Sequence, residues 1–225
     1  MIEAQGDIVA LLEDHCAPGA GWYRAVLSGH ALNQQVLGGA VENASTTRLV
    51  DWAVYLFEYS AYINPVPRGV VQQLPGNNVS YSRRALQLLE SLLKQNLWEA
   101  VWHRQLSLAK IDLVSNPNMV VFYRKSFSVG QFWRLTRLHG HNYAVSRSFE
   151  TASIKWLWLL GVIGLPALII SRIGRRVLQN GRHLKEYLLA LPLIFWFSLA
   201  WVLGEITGTL TKRLVTETGW QNGQL

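Results

Sequence analysis

The stretch DIVALLEDHCAPGAGW, from Asp7 to Trp22, decides how the rest of the chain is interpreted. Ile8 to Leu12 is a short apolar run, which is typical of a buried β-strand. The run ends in three adjacent polar residues, Glu13, Asp14 and His15. Carboxylate and imidazole groups at the carboxyl end of a strand lie where open α/β sheets bind ligands, and they could hold Mg²⁺ or Mn²⁺. The alternative is a solvated strand end whose acidic residue caps a helix.

Composition indicates contact with a membrane. Of the 225 residues, 50% are hydrophobic, ten are Trp and only 16% are charged, which is apolar for a soluble protein of this size. Residues 1–100 carry 6 basic and 9 acidic residues, whereas residues 101–225 carry 15 and 5. A basic half beside apolar segments favours anionic lipid head groups or phosphate-bearing ligands, and we expect no nucleic acid partner. The single cysteine, Cys16, excludes an internal disulfide and fits a reducing compartment.

Hydrophobic patterning divides residues 1–150 into alternating strands and helices. Strands are predicted at 8–12, 35–41 (broken at Gly38 and Gly39), 70–74 and once or twice within 113–123. Helices are predicted over 22–32, 49–63, 83–94, 98–109 and 131–148, with Thr46 or Thr47 capping the second. The alternation predicts an α/β domain in which helices flank a mixed sheet.

Two uncharged runs follow, at 156–171 and 187–204, each interrupted by a proline, Pro166 or Pro192. Both are at or below the roughly 20 residues that span a bilayer. Tryptophans at 156, 158, 196 and 201 favour membrane helices over buried core helices. We expect three regions: an α/β domain at 1–150, a membrane-associated helical hairpin with a basic connector at 151–214, and a polar tail at 215–225.

The basic connector makes the membrane topology ambiguous. RIGRRVLQNGRHLKE, residues 172–186, is expected in the cytoplasm by the positive-inside rule. The N-terminus MIEAQGD has no signal peptide, which places the α/β domain there too. Two full spans would separate the two regions, whereas short helices lying in the interface would not. We expect two spans in the inner membrane with the catalytic portion in the cytoplasm.

A second polar segment is QLPGNNVSY, residues 73–81, of which PGNNVSY, residues 75–81, is predicted to be a loop. Gly76 permits a tight turn, and the amides of Asn77 and Asn78 can hydrogen-bond a polar substrate such as a sugar. An ordinary turn with no ligand is the alternative.

A third segment, LWEAVWHRQL, places Glu99 and His103 four residues apart and therefore on one face of a helix. Trp98 and Trp102 share the neighbouring face, where aromatic rings pack against sugars or against a core. Glu99 in an apolar setting could act as a general base. The alternative is a surface pair beside core tryptophans.

A fourth segment, FWRLTRLHGHNYA, carries Arg134, Arg137, His139 and His141 on a helix and the turn predicted after it. Guanidinium groups are suited to clamping a diphosphate. A basic helix that contacts lipid head groups is the alternative, and the two are compatible.

The order of these segments resembles a known family. From Gly6 to about Leu210 the chain is similar to the family 2 glycosyltransferases of the GT-A fold, in a membrane-anchored bacterial subgroup. ALLEDHCAPGAGW resembles the Asp-x-Asp-type metal motif with its Pro-Gly-Trp turn, PGNNVSYSRRAL the acceptor-side loop, and LWEAVWHRQL the helix that carries the base. NPNMVVFYRK, FWRLTRLHGHNYA and two membrane helices follow in the family's order.

The resemblance implies inverting transfer of a sugar from a nucleoside diphosphate sugar to a glycan or lipid-linked acceptor hydroxyl. Glu99 would be the base, and Glu13 and His15 would hold Mg²⁺ or Mn²⁺ with Asp14 between them. The implied substrate-binding residues are Gly76, Asn77, Asn78, Trp98, Trp102 and His103. The implied diphosphate-binding residues are Arg134, Arg137 and His141. Glu-Asp-His departs from the family's pair of Asp residues, which weakens the expected metal binding.

In the family, a nucleotide-binding half precedes the metal motif. Only six residues precede Asp7, whereas one βαβ unit needs roughly 30. We therefore expect a partial GT-A domain that lacks the N-terminal half and is followed by two membrane helices. The alternative function is a catalytically inactive membrane-bound remnant or an accessory interaction protein.

Overall fold

The structure is a computed structural model that describes residues 4–93, 99–145, 147 and 152–211, and it does not describe the side chains of 99, 100, 152–155 and 157. The chain divides into two compact units, one formed by residues 1–45 and 61–125, the other by 46–60 and 126–225. The strands are β1 (Ile8–Leu12), β2 (Cys16–Pro18), β3 (Val36–Asn43), β4 (Gly69–Val71), β5 (Asn78–Ser82) and β6 (Leu113–Tyr123). The helices are α1 (Trp22–Ala31), α2 (Leu49–Tyr59), α3 (Arg83–Leu93), α4 (Glu99–Leu108), α5 (Val129–Val145), α6 (Ala152–Gly161), α7 (Leu165–Asn180) and α8 (Leu184–Thr211).

All six strands belong to the first unit and form one mixed sheet. The order is β1-β5-β3-β6-β2, and β4 also pairs with β6. β3 and β6 run parallel, and the other pairs are antiparallel. β1 and β2 lie at opposite ends of this path, yet only residues 13–15 join them, so the sheet is nearly closed. The predicted mixed sheet with flanking helices is confirmed.

The two faces of β5 carry different side chains, because successive residues of a strand point to opposite faces. Val79 and Tyr81 join the buried cluster that includes Leu89 of α3 and Leu106 of α4. Asn78 and Ser80 face the other way and hydrogen-bond side chains of α1. The sheet of the first unit therefore has helices on both faces.

Glycine explains the predicted break in β3. The strand is buried along its whole length, and its register against β6 shifts between Gly38 and Ala40. A Cβ atom on Gly39 would overlap the carbonyl oxygen of Met119, so only glycine fits at this irregularity. The break shifts the register of one continuous strand and does not end it.

Two local predictions are wrong. Residues 78–82 are strand β5 rather than part of a loop, because the Asn78 side chain bonds the backbone of the neighbouring strands and fits a sheet interior. α2 is preceded by Arg48, and no side chain caps it, so Thr46 and Thr47 do not have that role. Arg48 instead pairs with the buried Asp51 in the first turn, with 2.6 Å between Nη2 and Oδ1.

In the second unit, α8 packs against α2, α5 and α7. Its contact with α5 depends on glycine: a Cβ on Gly204 or Gly208 would overlap the backbone of Arg137 or His141. Small residues spaced four apart allow helix backbones to approach closely in this way. A partly buried ion pair lies beside this contact, where Arg147 Nη1 donates to Oε2 of the buried Glu205 across 2.9 Å.

Two segments, Trp158–Asn180 and Leu184–Thr211, are long and apolar enough to cross a membrane. The more apolar window of the first is 22% buried and that of the second 44%, so lipid-compatible side chains remain exposed. This is weak support for the predicted membrane association, because it rests on length and composition. The first segment is interrupted by a 3-10 turn at Val162–Gly164, directly before Pro166.

Candidate functional site at the turn after the first strand

A tight turn between β1 and β2 gathers the candidate metal ligands. The backbone N–H of Cys16 donates to the carbonyl of Glu13 across 2.9 Å and closes the turn. One potential ligand atom from each of Glu13, His15 and Cys16 lies within 4.8 Å of the others. The sequence identified Glu13 and His15 but not Cys16. Asp14, which was also predicted, is outside this set and contacts His15 instead.

His15 is held between two carboxylates. Its Nε2 lies 2.6 Å from Glu13 Oε2, and its Nδ1 lies 2.7 Å from Asp14 Oδ1. Burial by itself lowers the pKa of the imidazole, but the bonds to Glu13 and Asp14 outweigh burial and raise it above the usual value. The same hydrogen bond to His15 lowers the pKa of Asp14. When His15 is protonated, both ring nitrogens can donate to carboxylates in this arrangement.

Cys16 is half-buried and faces Asn77. The Nδ2 of Asn77 lies 3.4 Å from the sulfur, and Asn77 itself is buried. Burial raises the pKa of the Cys16 thiol to about 11, with the negative charge of Glu13 acting in the same direction. The thiol is therefore protonated at neutral pH.

Glu13, His15 and Cys16 could hold a metal ion only after losing protons. Oxygen, nitrogen and sulfur ligands together suit Zn²⁺ better than the expected Mg²⁺ or Mn²⁺, because those two ions prefer oxygen. His15 must first give up the proton that it shares with Glu13 or Asp14, so metal and proton compete for the same nitrogen. We expect any affinity for metal to rise with pH.

The segment predicted to bind the acceptor, which contains Gly76, Asn77 and Asn78, lies beside this turn. β1 pairs with β5 so that Leu12 lies opposite Asn78, which brings residues 76–78 beside residues 13–16. Gly76 lies in the turn before β5 and is half-buried. Asn77 is buried with its Oδ1 unbonded within the described part of the chain.

Asn78 has a structural role in this arrangement. Its Oδ1 accepts a hydrogen bond from Trp22 Nε1 across 2.8 Å, and its Nδ2 donates to the carbonyls of Ala40 and Met119, also at 2.8 Å. The side chain is fully buried. Substrate binding by Asn78 stays a prediction, and its occupied amide argues against direct contact.

The predicted catalytic helix is α4, which begins at Glu99. The side chain of Glu99 and the whole of Trp98 lie outside the described residues. Trp102 and His103 are buried in the core, and His103 Nε2 lies 3.0 Å from the hydroxyl of Tyr81. Burial lowers the pKa of His103 to about 4, so the imidazole is neutral at pH 7. His103 is therefore not part of a surface pair. Its burial also argues against the predicted contact with substrate.

The predicted diphosphate-binding residues lie in the second unit. Arg134 and Arg137 are exposed and three positions apart on α5, so they share a face of that helix. His141 is half-buried, and its Nδ1 lies 3.0 Å from the hydroxyl of Thr207 on α8. The helix predicted over 131–148 is α5, which runs from Val129 to Val145, so the predicted diphosphate-binding residues lie on one helix.

Sequence reasoning missed the parts of the site that depend on strand pairing. Cys16 was interpreted only as a marker of redox compartment, although it directly follows His15. Trp22 and Tyr81 position Asn78 and His103, and no local pattern indicates those partners.

No family model matches the chain, and no curated protein matches it.

Proposed function

We propose that the chain forms the acceptor side and membrane anchor of an inverting glycosyltransferase, which transfers a sugar from a nucleoside diphosphate sugar to an acceptor hydroxyl in envelope glycan or glycolipid synthesis. One observation supports this most: Asn77 of the candidate acceptor segment contacts Cys16 of the candidate metal turn, 61 positions away. A transferase needs its acceptor and its leaving group at one place.

Glu99 is the proposed general base. Its helix, α4, contacts β5 through the hydrogen bond between His103 and Tyr81. Tyr81 lies three residues after Asn78, about 10 Å along the strand, and Glu99 precedes His103 by about one helical turn. The base would take the proton of the acceptor hydroxyl as its oxygen attacks the anomeric carbon.

The departing diphosphate needs positive charge. The exposed guanidinium groups of Arg134 and Arg137 are the proposed partners, with His141 on the same helix. A divalent ion held by Glu13 and His15, when bound, would supply positive charge to phosphate oxygens.

A transfer assay tests the base. Membranes containing the full chain are incubated with radiolabelled UDP-glucose, UDP-N-acetylglucosamine or GDP-mannose, and incorporation into lipid and glycan is counted. We expect Glu99→Gln to abolish incorporation, whereas Gln105→Ala, an exposed substitution on the same helix, leaves it unchanged. Undiminished incorporation by Glu99→Gln would exclude Glu99 as the base.

Calorimetry tests the diphosphate site separately. The full chain in detergent is titrated with UDP and GDP in the presence of Mn²⁺. We expect metal-dependent binding that Glu13→Ala/His15→Ala removes and that the exposed control Asp112→Ala retains. No binding by a folded wild-type sample would contradict the proposal.

A second candidate is a non-enzymatic, membrane-bound accessory protein. It is favoured by the use of Asn78, Trp102 and His103 in packing and internal hydrogen bonds instead of in an open pocket. Absence of both incorporation and nucleotide binding would support this candidate.

A further inference from the structure

A basic cavity of about 300 Å³ lies on the surface of α7. Its lining consists of Leu168, Ser171, Arg172, Arg175, Arg176 and Gln179. Three guanidinium groups and two further polar side chains therefore line one side of an open space large enough for a phosphate group. None of these residues belongs to the site proposed for sugar transfer.

The arginines differ in how they are held. Arg176 is half-buried, and its Nη1 donates to the Ser60 hydroxyl across 3.2 Å. Arg172 and Arg175 are exposed and three positions apart, so they share one face of α7. Neither has a hydrogen bond or ion pair to any residue that the structure describes. Their charge is therefore available to a ligand.

The surroundings point to a lipid. α7 buries Ile173 and Val177 on the opposite side. Apolar side chains are exposed before the arginines, with Ile163 at 72% and Leu168 at 50% exposure, and again after the connector at Leu188. A soluble anion site has no need of exposed leucines, whereas a membrane interface presents head groups beside acyl chains.

The length of the uncharged segment before Arg172 limits how deep the arginines can lie in a bilayer. The uncharged part of the first candidate span, Trp158 to Ser171, has 14 residues and would be about 21 Å long as a helix. The hydrocarbon core of a bilayer is about 30 Å thick. The arginines therefore come before the segment could complete a crossing, at a position that suits an interfacial helix.

We propose that Arg172 and Arg175, with Arg176 behind them, bind the phosphate of an anionic phospholipid head group, and that Leu168 contacts its acyl chain. The planar guanidinium fork matches phosphate geometry, and two exposed forks one turn apart can hold the same phosphate. This inference is independent of the proposed transferase activity.

Native mass spectrometry of the full chain in detergent tests the proposal. The protein is titrated with phosphatidylglycerol and, separately, with phosphatidylcholine of the same acyl chains. We expect tighter binding of phosphatidylglycerol. Each basic residue near an anionic surface contributes a factor of about five in affinity, so Arg172→Gln/Arg175→Gln should weaken phosphatidylglycerol binding roughly 25-fold.

Two further variants separate local binding from net charge and from folding. Arg24→Gln/Arg84→Gln removes the same charge from exposed positions elsewhere and should leave the preference intact. Arg172→Lys/Arg175→Lys keeps the charge and should retain most of the preference for phosphatidylglycerol. An equal loss in the Arg24/Arg84 variant, or no preference in the wild type, would overturn the proposal.

Competition with inorganic phosphate distinguishes a site for a lipid phosphate from a site for soluble phosphate. We expect an excess of inorganic phosphate to leave phosphatidylglycerol bound, because the acyl chain contributes to binding. Complete displacement would show a site for soluble phosphate and would overturn the assignment to lipid.

Discussion

The Nδ2 of Asn77 lies 3.4 Å from the Sγ of Cys16, although 61 positions separate the two residues. Both side chains are at least partly withdrawn from solvent, and the other amide atom, Oδ1 of Asn77, is buried without a partner in the described part of the chain. This contact joins the turn after β1 to the turn before β5. The properties of the single cysteine therefore report on the candidate site as a whole.

The Cys16 thiol should titrate far above the usual range of a cysteine. Burial raises its pKa to about 11, and the hydrogen bond from Asn77 moderates the rise. We expect the thiolate absorbance of the native chain to develop near that pH, and in denaturant near pH 8.5. Asn77→Ala should raise the native value further. A native thiol that titrates at or below the denatured value would contradict the described environment.

His15 should make the first unit less stable in alkaline solution. Its pKa is raised in the folded protein, so its contribution to stability is complete below the unfolded value of about 6.5. That contribution is lost as pH rises through the raised pKa. We expect the unfolding temperature of the wild type in detergent to fall over this window, and that of His15→Gln to change less. The His15 pKa itself, measured by NMR, should drop in Glu13→Gln; an unchanged value there would rule out the ion pair.

Asn78 should be needed for the sheet rather than only for a ligand. Asn78→Ala leaves the Trp22 N–H and the carbonyls of Ala40 and Met119 without their partner. Unsatisfied buried groups cost about 1–3 kcal/mol each, so we expect a loss of at least about 3 kcal/mol in the free energy of unfolding by urea. Asn118→Ala, at an exposed position, is the control and should change stability by less than about 0.5 kcal/mol. Equal stability of the two variants would disprove the structural role.

Gly204 should tolerate no side chain. A Cβ there would overlap the carbonyl of Arg137, so Gly204→Ala must push α8 away from α5. Overpacking of this kind costs about 1–3 kcal/mol, which chemical denaturation in detergent would detect. Gly161→Ala is a matched control in the other candidate span, because its Cβ would meet nothing within 4 Å. A Gly204→Ala variant as stable as the control would mean that the helices pack less closely.

Much of the fold follows from local pattern. Ile8–Leu12 reads as a strand and Trp22 onward as a helix, because one run is short and apolar and the other has helical spacing. The glycine pair in β3 was identified as a break because glycine weakens a strand and tolerates close approach. These features depend on neighbours in sequence, so the sequence is sufficient to predict them.

The rest depends on partners distant in sequence. Asn78 looks like a loop residue by composition, and only the carbonyls of two neighbouring strands make it suitable for a buried strand. His103 looks like a surface histidine by spacing, and only the hydroxyl of Tyr81 gives it a place in the core. Polar side chains of this kind are assigned wrongly whenever their partners are supplied by tertiary structure.

The glycine contact between α5 and α8 has a mechanical consequence. At Gly204 and Gly208 the backbone of α8 packs directly against the backbone of α5, with no flexible side chain between them. We therefore expect the two helices to move together. In a bilayer, a change in hydrocarbon thickness alters the tilt of a long apolar helix such as α8. Because Arg134 and Arg137 lie on α5, such a tilt would also move these two cations relative to the membrane.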